Sequence, residues 1–178
     1  MAESPSASRL PDSADPASPR CAARIPPELL ALAQNGAAIS LASCTAEGEP
    51  LVGLGVGCIV APDGTLRVMI GRAANVRLIA AIVAGRAVAV TFIATRDHSS
   101  FQIKAARAQY LATGADTCPE IDRQATLLRE GLVELGFLPE QAAGYAAYDS
   151  NDLGTVVICP ERVFLQTPGP GAGAELTA

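Results

Sequence analysis

The chain has 178 residues and a mass of 18.2 kDa, which suits a single domain with a sizeable core. Hydrophobic residues make up 49% of it, aromatic residues only 4%, and tryptophan is absent, so the core must be built mainly from alanine and aliphatic side chains. The formal net charge is −5 and the basic residues are dispersed, which argues against a nucleic-acid-binding surface.

The chain divides into a leader, one domain and a tail. Residues 1–24 are rich in Ser, Ala, Pro and Asp, which predicts a disordered leader. Residues 168–178 are dominated by Gly, Pro and Ala, which predicts a flexible C-terminal tail. The domain between them, residues 25–167, is expected to open with a short helix at Pro26 and Pro27.

Turn-forming sequences separate a series of short apolar segments, which predicts an antiparallel meander followed by a second hairpin. Proline cannot donate a hydrogen bond to a sheet, so Pro160 makes the last segment either a strand pair or one interrupted strand. About six strands predict a closed or partly closed barrel, because an open sheet this apolar would leave a hazardous edge. The strand segments are 37–44, 51–61, 65–70, 86–94, 100–113 and 155–166.

Periodicity predicts three further helices. The first follows the third strand, where four residues recur at the spacing of one helical face: Val76, Ile79, Ala80 and Val83. Thr117 and Glu120 fit a capping box before a longer amphipathic helix. The last helix is expected to begin at Pro139.

The turn between the third strand and its helix has the composition of an anion site. Arg72 follows the strand, Asn75 is the expected N-cap, and Arg77 lies in the first helical turn. The first backbone N–H groups of a helix have no partner within it, so a phosphate would satisfy them and both guanidiniums. The alternative is that both arginines are solvated surface charges.

The five cysteines are widely spaced and include no CxxC pair. Their spacing predicts neither a zinc site nor a disulfide framework, so structural thiols in a reducing compartment are expected. No apolar stretch is long enough to span a bilayer, and the N-terminus lacks the apolar region of a signal peptide. A cytoplasmic protein is therefore the default expectation.

The order of these features resembles the pyridoxamine 5′-phosphate oxidase-like family of FMN-binding split β-barrels. In that family a proline-led strand precedes an acidic-Gly turn, a strand, a turn with a basic residue at the start of a helix, a further strand and a strand similar to QIKG. The corresponding sequences here are EPLV at 49–52, DG at 63–64, LRVMI at 66–70, NVR at 75–77, AVAVTF at 87–92 and FQIKA at 101–105. The resemblance implies a mainly β fold with helices, built as a six-stranded antiparallel split β-barrel.

The resemblance also implies FMN as cofactor and a set of residues that bind it. Arg77 would neutralise the FMN phosphate, which Asn75 and Arg72 would hydrogen-bond. The backbone of two residues in the third strand would run beside the flavin, and a glutamine of the QIK segment would approach its ring or ribityl chain. The implied FMN-binding residues are Met69, Ile70, Arg72, Asn75, Arg77 and Gln102.

The family builds its site at a two-fold interface, so the resemblance implies a homodimer in which the fifth and sixth strands of one subunit complete the pocket of the other. Gly53, Gly55 and Gly57 alternate along one strand, which predicts that they share one face and is compatible with close approach of a flat ligand or of a second subunit. The substrate would be a small molecule, with no role for nucleic acid or membrane.

The chain departs from the true pyridoxamine 5′-phosphate oxidases at three places. Their further basic residues on the proline-led strand are replaced by the sequence GLGVG at 53–57, which cannot hold phosphate by charge. Ala105 stands where a glycine follows the QIK segment, and the expected C-terminal tryptophan and arginine are absent near residues 165–167. Oxidation of pyridoxamine phosphate is therefore not expected.

Three classes of function remain open. The first is an FMN-dependent oxidoreductase, in which the cofactor supplies the redox chemistry and no side-chain nucleophile or metal is needed. The second is a non-enzymatic protein that holds flavin or haem, the latter through His98, although a surface position in a polar loop is the simpler interpretation of that histidine. The third is a dimeric interaction protein with a degenerate pocket.

Overall fold

A computed structural model of the chain describes residues 21–113 and 117–177, without the side chain of Ala112. Most of the predicted leader therefore lies outside the described residues. The strands are β1 (Ala38–Cys44), β2 (Pro50–Val60), β3 (Leu66–Gly71), β4 (Val88–Ile93), β5 (Ser100–Ala105), β6 (Gln109–Ala112), β7 (Leu153–Ile158) and β8 (Arg162–Leu165). The helices are α1 (Pro27–Gln34), α2 (Val76–Val83), α3 (Cys118–Glu134) and α4 (Pro139–Ala146).

The strands form one antiparallel sheet in the order β6-β7-β3-β2-β1-β4-β5-β8. The expected mixture of antiparallel strands and helices is confirmed, but the expected count of six strands is wrong, because the described part of the chain has eight. Residues 106–108 divide the fifth predicted segment into β5 and β6, and residues 159–161 divide the last into β7 and β8. Within each divided segment, the two strands form hydrogen bonds with different neighbouring strands, so each is counted as a separate strand.

The short connection between β7 and β8 requires the sheet to curve. These strands are six strand spacings apart in the sheet order, which would be about 29 Å in a flat sheet. Only residues 159–161 join them, and that length of extended chain reaches at most about 14 Å. The sheet must therefore bend round on itself, as in a barrel.

The curved sheet encloses one main hydrophobic core. Buried side chains from strands near both ends of the sheet order, including Val156 of β7 and Val163 of β8, belong to the same cluster. Leu78 and Ile82 of α2 join them, as does Ala33 of α1. The inner face of the sheet is thus filled by aliphatic side chains, as the composition predicts.

Strand β2 changes its main partner along its length. Its first half, to Gly55, pairs with β1, and its second half, from Gly55, pairs with β3. The register with β3 shifts between Gly55 and Gly57, which marks an irregularity of the kind made by a β-bulge. A Cβ atom at Gly57 would meet Ile121 of α3, whereas one at Gly55 would meet Ile39 of β1. The expectation that these glycines share one face is therefore wrong.

Two glutamine side chains bind the edge of β2 beyond the end of β1. The backbone N–H of Cys58 donates to Gln124 Oε1 at 2.9 Å, and Gln124 Nε2 donates to the Cys58 carbonyl at 2.7 Å. The N–H of Val60 donates to Gln34 Oε1 at 3.1 Å. Gln124 is 2% exposed, so these bonds satisfy backbone groups that water does not reach.

The buried face of α2 differs from the predicted one. Val76 and Val83 are 65% and 67% exposed, while Leu78, Ala81 and Ile82 are buried. The sequence of this helix is apolar on almost every side, so periodicity could not determine which face packs against the core. For α3 the predicted amphipathic helix is confirmed, since Ile121, Leu128 and Leu132 are buried, but the predicted capping box is not formed, because the Thr117 side chain makes no capping hydrogen bond.

The connection between β7 and β8 carries a disulfide bond, Cys21–Cys159, with the two Cα atoms 5.0 Å apart. The expectation of unpaired structural thiols is therefore wrong for these two cysteines, which sequence spacing could not pair. Cys44, Cys58 and Cys118 are free, and burial raises the pKa of the Cys58 thiol far above its usual range. Disulfides persist mainly in oxidising surroundings, so this bond weighs against a reducing compartment.

The segment after β8 returns along that strand. Phe164 forms a β-bridge with Glu175, and the N–H of Leu176 donates to the Val163 carbonyl at 2.8 Å. Arg162 donates twice to the Glu175 carboxylate, at 2.8 and 2.6 Å. Residues 173–176 of the segment predicted to be a flexible tail thus lie against the sheet. Among the described residues, no helix combines the length and apolarity needed to cross a membrane.

Replacement of Gln124 by leucine is expected to destabilise the fold by about 2 to 4 kcal/mol, because it leaves the N–H and carbonyl of Cys58 buried without partners. Urea denaturation followed by circular dichroism would measure this change. Thr126→Leu, at an exposed position of the same helix, should alter stability by less than about 0.5 kcal/mol. Equal effects of the two substitutions would contradict the assigned role of Gln124.

Candidate functional site

A groove runs along the outer side of β2 where it meets the start of α2. It consists of two clefts, one of about 260 Å³ at the first turn of α2 and one of about 470 Å³ toward α4. Both clefts are lined by Val52, Ala74 and Asn75, so they adjoin. Arg77 lines only the smaller cleft, and Tyr145 and Tyr148 line only the larger one.

Asn75 lies at the junction of the two clefts, but it does not cap α2. A 3₁₀ turn over Ala73–Asn75 leads directly into the helix, and the Asn75 side chain makes no capping hydrogen bond. Its Nδ2 donates instead to the Gly71 carbonyl at 2.7 Å, and the residue is 8% exposed. Asn75 thus occupies the predicted N-cap position, but its side chain does not cap the helix and instead holds the turn that follows β3.

Gly53 of β2 explains how a buried asparagine fits at this place. A Cβ atom at Gly53 would lie 2.0 Å from Asn75 Oδ1 and 2.8 Å from Leu78 Cδ2. Any larger residue would push the turn and α2 away from β2. The glycine thus serves close packing within the chain.

Arg72 is bound to the 3₁₀ turn that precedes β7. Its Nη2 donates to the Asn151 carbonyl at 2.7 Å, and its Nε lies 3.5 Å from Asp152 Oδ1. The Asp152 carboxylate also accepts the backbone N–H of Ala73, with a distance of 3.0 Å to Oδ2. A carboxylate of the chain itself therefore occupies the start of the helical run, where the sequence predicts a bound phosphate.

Arg77 has a weaker internal partner. Its Nη2 lies 2.5 Å from Glu49 Oε2, and the two side chains are 68% and 64% exposed. Exposed pairs of this kind contribute at most about 1 kcal/mol, because water and salt screen them. Of the two arginines predicted to bind phosphate, Arg77 is therefore the one that could exchange its carboxylate partner for a ligand at little cost in free energy.

Met69 and Ile70 lie in the middle of the sheet. Each is fully buried and is paired with residues of both β2 and β7. The Met69 side chain packs with Ile121 and Leu153 outside the main core, and Ile70 points into the main core. Neither lines the groove, which is reached instead by the next residue, Gly71.

Gln102 lies on β5, which two strands, β1 and β4, separate from β2 and the groove. Register places Leu54, Ser40, Thr91 and Gln102 in one row across β2, β1, β4 and β5. Three strand spacings amount to roughly 14 Å. The Gln102 side chain donates to Thr91 Oγ1 at 2.9 Å. One chain therefore does not bring Gln102 to the groove near Asn75, and its role in FMN binding stays a prediction.

The wall of the larger cleft includes a tyrosine and two aspartates for which the sequence predicts no role in binding. Tyr148 donates its hydroxyl to Asp122 Oδ1 at 2.5 Å, and burial together with this carboxylate raises the pKa of the phenol. The hydroxyl therefore stays protonated as a donor. Asp149 and Asp152 lie on the same wall. These residues follow α3 in the chain, so no local motif connects them to the turn after β3.

His98 lies in the turn between β4 and β5, exposed and with a positive φ of 57°. It lines neither cleft of the groove. Within residues 21–113 and 117–177, no group of three or more His, Cys, Asp or Glu side chains is placed to hold a metal ion.

The curved antiparallel sheet with its four helices is a fold that solved structures share. No family model matches the sequence, and no curated protein does. The HupZ protein of Group A Streptococcus is 17% identical, covers 84% of this chain and 100% of its own, and has a TM-score of 0.51. An F420 reductase is 19% identical, covers 78% and 98%, and also has a TM-score of 0.51.

A putative pyridoxamine 5′-phosphate oxidase from Lactobacillus delbrueckii is a further structural neighbour, at 17% identity, coverage of 79% and 93%, and a TM-score of 0.49. Identities below 20% establish the fold alone, so this likeness assigns neither a cofactor nor a reaction to the chain.

The two carboxylates that face the arginines should differ in their contribution to stability. Asp152→Ala is expected to cost about 1 to 2 kcal/mol, because it removes the acceptor of the Ala73 N–H at the start of a helical run. Glu49→Ala should cost less than about 1 kcal/mol, because its pair with Arg77 is exposed. Urea denaturation of both variants checks this order, and a larger loss for Glu49→Ala would contradict it.

Proposed function

We propose that the chain binds FMN in the groove between β2 and α2 and acts as a flavin-dependent oxidoreductase. The observation that carries the proposal is the position of Arg77, an exposed cation at one end of an elongated groove whose outer wall is apolar. Bound FMN would supply the hydride or electron transfer. The residues of the chain would hold, orient and shield it.

The smaller cleft suits the phosphate end of the cofactor. Arg77 can exchange the Glu49 carboxylate for a phosphate, since both groups accept charge-assisted hydrogen bonds and Glu49 is free to return to water. Arg72 is held by Asn151 and Asp152, so it would position the turn without binding phosphate itself. Asn75 has a similar supporting role through the Gly71 carbonyl.

The larger cleft suits a flat, mainly apolar group. Val52 and Leu54 expose 70% and 55% of their surface along its outer wall, and Val56 continues the wall. Its volume of about 470 Å³ lies within the range of small-molecule sites. Asp149 and Asp152 make this end negative, which favours the uncharged ring of a flavin over its phosphate at this position.

The expected test is a titration of the protein with FMN, followed by quenching of flavin fluorescence. Arg77→Ala should weaken FMN binding by about 1 to 3 kcal/mol, the scale of one charge-assisted hydrogen bond. Glu49→Gln should strengthen it by up to about 1 kcal/mol, because the competing carboxylate is removed. Riboflavin, which lacks the phosphate, should respond to neither substitution.

Arg129→Ala is the matched control, since Arg129 is an exposed arginine on α3 outside the groove. Its affinity for FMN should equal that of the unaltered protein. Absence of FMN binding by the unaltered protein would overturn the proposal. Binding that Arg77→Ala leaves unchanged would show that the phosphate lies elsewhere.

We also propose that the exposed outer face of β2 is the contact between two copies of the chain. Val52 and Leu54 are large apolar side chains that a monomer leaves in water. A second copy placed on this face could bring its own Gln102 toward the groove, which one chain cannot do because three strand spacings intervene. This arrangement would complete the set of residues that the sequence predicts.

Leu54→Glu is expected to convert a dimer into a monomer, because it places a charge in the proposed apolar contact. Sedimentation velocity would measure the change. Val133→Glu, at a 40% exposed position of α3, is the control and should leave the dimer intact. A monomeric unaltered protein, or a dimer that persists in Leu54→Glu, would rule out this contact.

A further inference from the structure

A further cavity lies away from the groove. It has a volume of about 880 Å³ and is enclosed by the end of α2, the turn between β2 and β3, and the chain leading into β6. It shares no lining residue with either cleft of the groove. Its volume falls within the range of ligand-binding sites.

Two arginines without a carboxylate partner line this cavity. Five other arginines of the described residues form ion pairs, namely Arg72, Arg77, Arg96, Arg123 and Arg162. By contrast, no carboxylate in the same residues lies within ion-pair distance of Arg67 or Arg107, although both line the cavity. Arg24, Arg86 and Arg129 form no ion pair among the described residues either, but they do not line the cavity, so Arg67 and Arg107 are the two cations available to an anion there.

One carboxylate, that of Asp63, also lines the cavity. It accepts the backbone N–H of Thr65 at 2.9 Å, and this bond, with a smaller effect of the Arg67 guanidinium, lowers its pKa, so the group is charged. The cavity therefore has two guanidiniums against one carboxylate, and the carboxylate is turned toward the backbone of its own loop. The local excess of charge is positive.

The remaining walls are largely apolar. Val83 and Leu111 are 67% and 50% exposed, and both face the cavity, together with Ile82 and Val157. Exposed aliphatic side chains that surround a cavity lose contact with water when an apolar group enters it. An occupant with both an anionic group and a hydrocarbon or aromatic body would satisfy both kinds of wall.

We propose that this cavity is a binding site for a small organic anion with an apolar body. The guanidiniums of Arg67 and Arg107 would hold its acidic group, and Val83 and Leu111 would cover its apolar part. Helix α2 separates this site from the groove, since Arg77 lies at its first turn and Val83 at its last residue, about 9 Å apart along the axis. The proposal is independent of FMN binding.

The test uses the fluorescence of anilinonaphthalene sulfonate, an aromatic anion, titrated against the full chain. Arg67→Gln and Arg107→Gln should each raise its Kd at least fivefold, and the double substitution should raise it further. Both arginines are exposed, so the variants should fold as the unaltered protein does. Arg129→Gln, which removes an exposed arginine outside both the cavity and the groove, should leave the Kd unchanged.

The uncharged phenyl naphthylamine, which has the same aromatic body without the sulfonate, provides the second arm. Its binding should be insensitive to Arg67→Gln and Arg107→Gln, but Val83→Asp should weaken both dyes. Equal Kd values for the sulfonate in the unaltered protein and in the Arg67→Gln, Arg107→Gln double variant would overturn the proposal. So would an equal loss caused by Arg129→Gln, which would indicate attraction by net charge alone.

Discussion

The three residues between β7 and β8 impose the constraint on which the whole fold depends. Strands at the second and eighth positions of the sheet must be brought within reach of residues 159–161, so the sheet can only exist curved. The chain reinforces this point with the Cys21–Cys159 bond and with a hydrogen bond from the Ala23 N–H to the Pro160 carbonyl. Curvature in turn creates a single interior, in which the side chains of strands near both ends of the sheet meet.

The groove depends on that curvature together with a local balance of charge. Gly53 lets the turn after β3 lie directly on β2, and Asn75 closes that turn onto the Gly71 carbonyl. Arg72 is committed to the segment before β7, whereas Arg77 has only an exposed glutamate. Arg72 is therefore a structural cation, whereas Arg77 can exchange its partner.

Sequence reasoning succeeded where the signal was local and failed where distant segments decide the result. Turn residues and alternating apolar segments predicted the β1–β2, β2–β3 and β4–β5 pairs. The packed face of α2 could not be predicted, because nearly every side of that helix is apolar. The Asp152 carboxylate occupies the start of the helical run, where the sequence predicts a phosphate. It lies 79 positions beyond Ala73 in the chain. The positions of Met69, Ile70 and Gln102 likewise follow from sheet register, which spacing along the chain does not encode.

The glutamines that bind β2 have a consequence for association between chains. A strand with unpaired backbone groups can recruit a strand from another molecule, and β2 extends beyond the end of β1 by several residues. Gln124 and Gln34 occupy those groups from the side of the helices, and the returning C-terminal segment covers part of β8 in the same way. Of the sheet margins in the described residues, β6 is left with a free side. A strand from another molecule would therefore add first at β6.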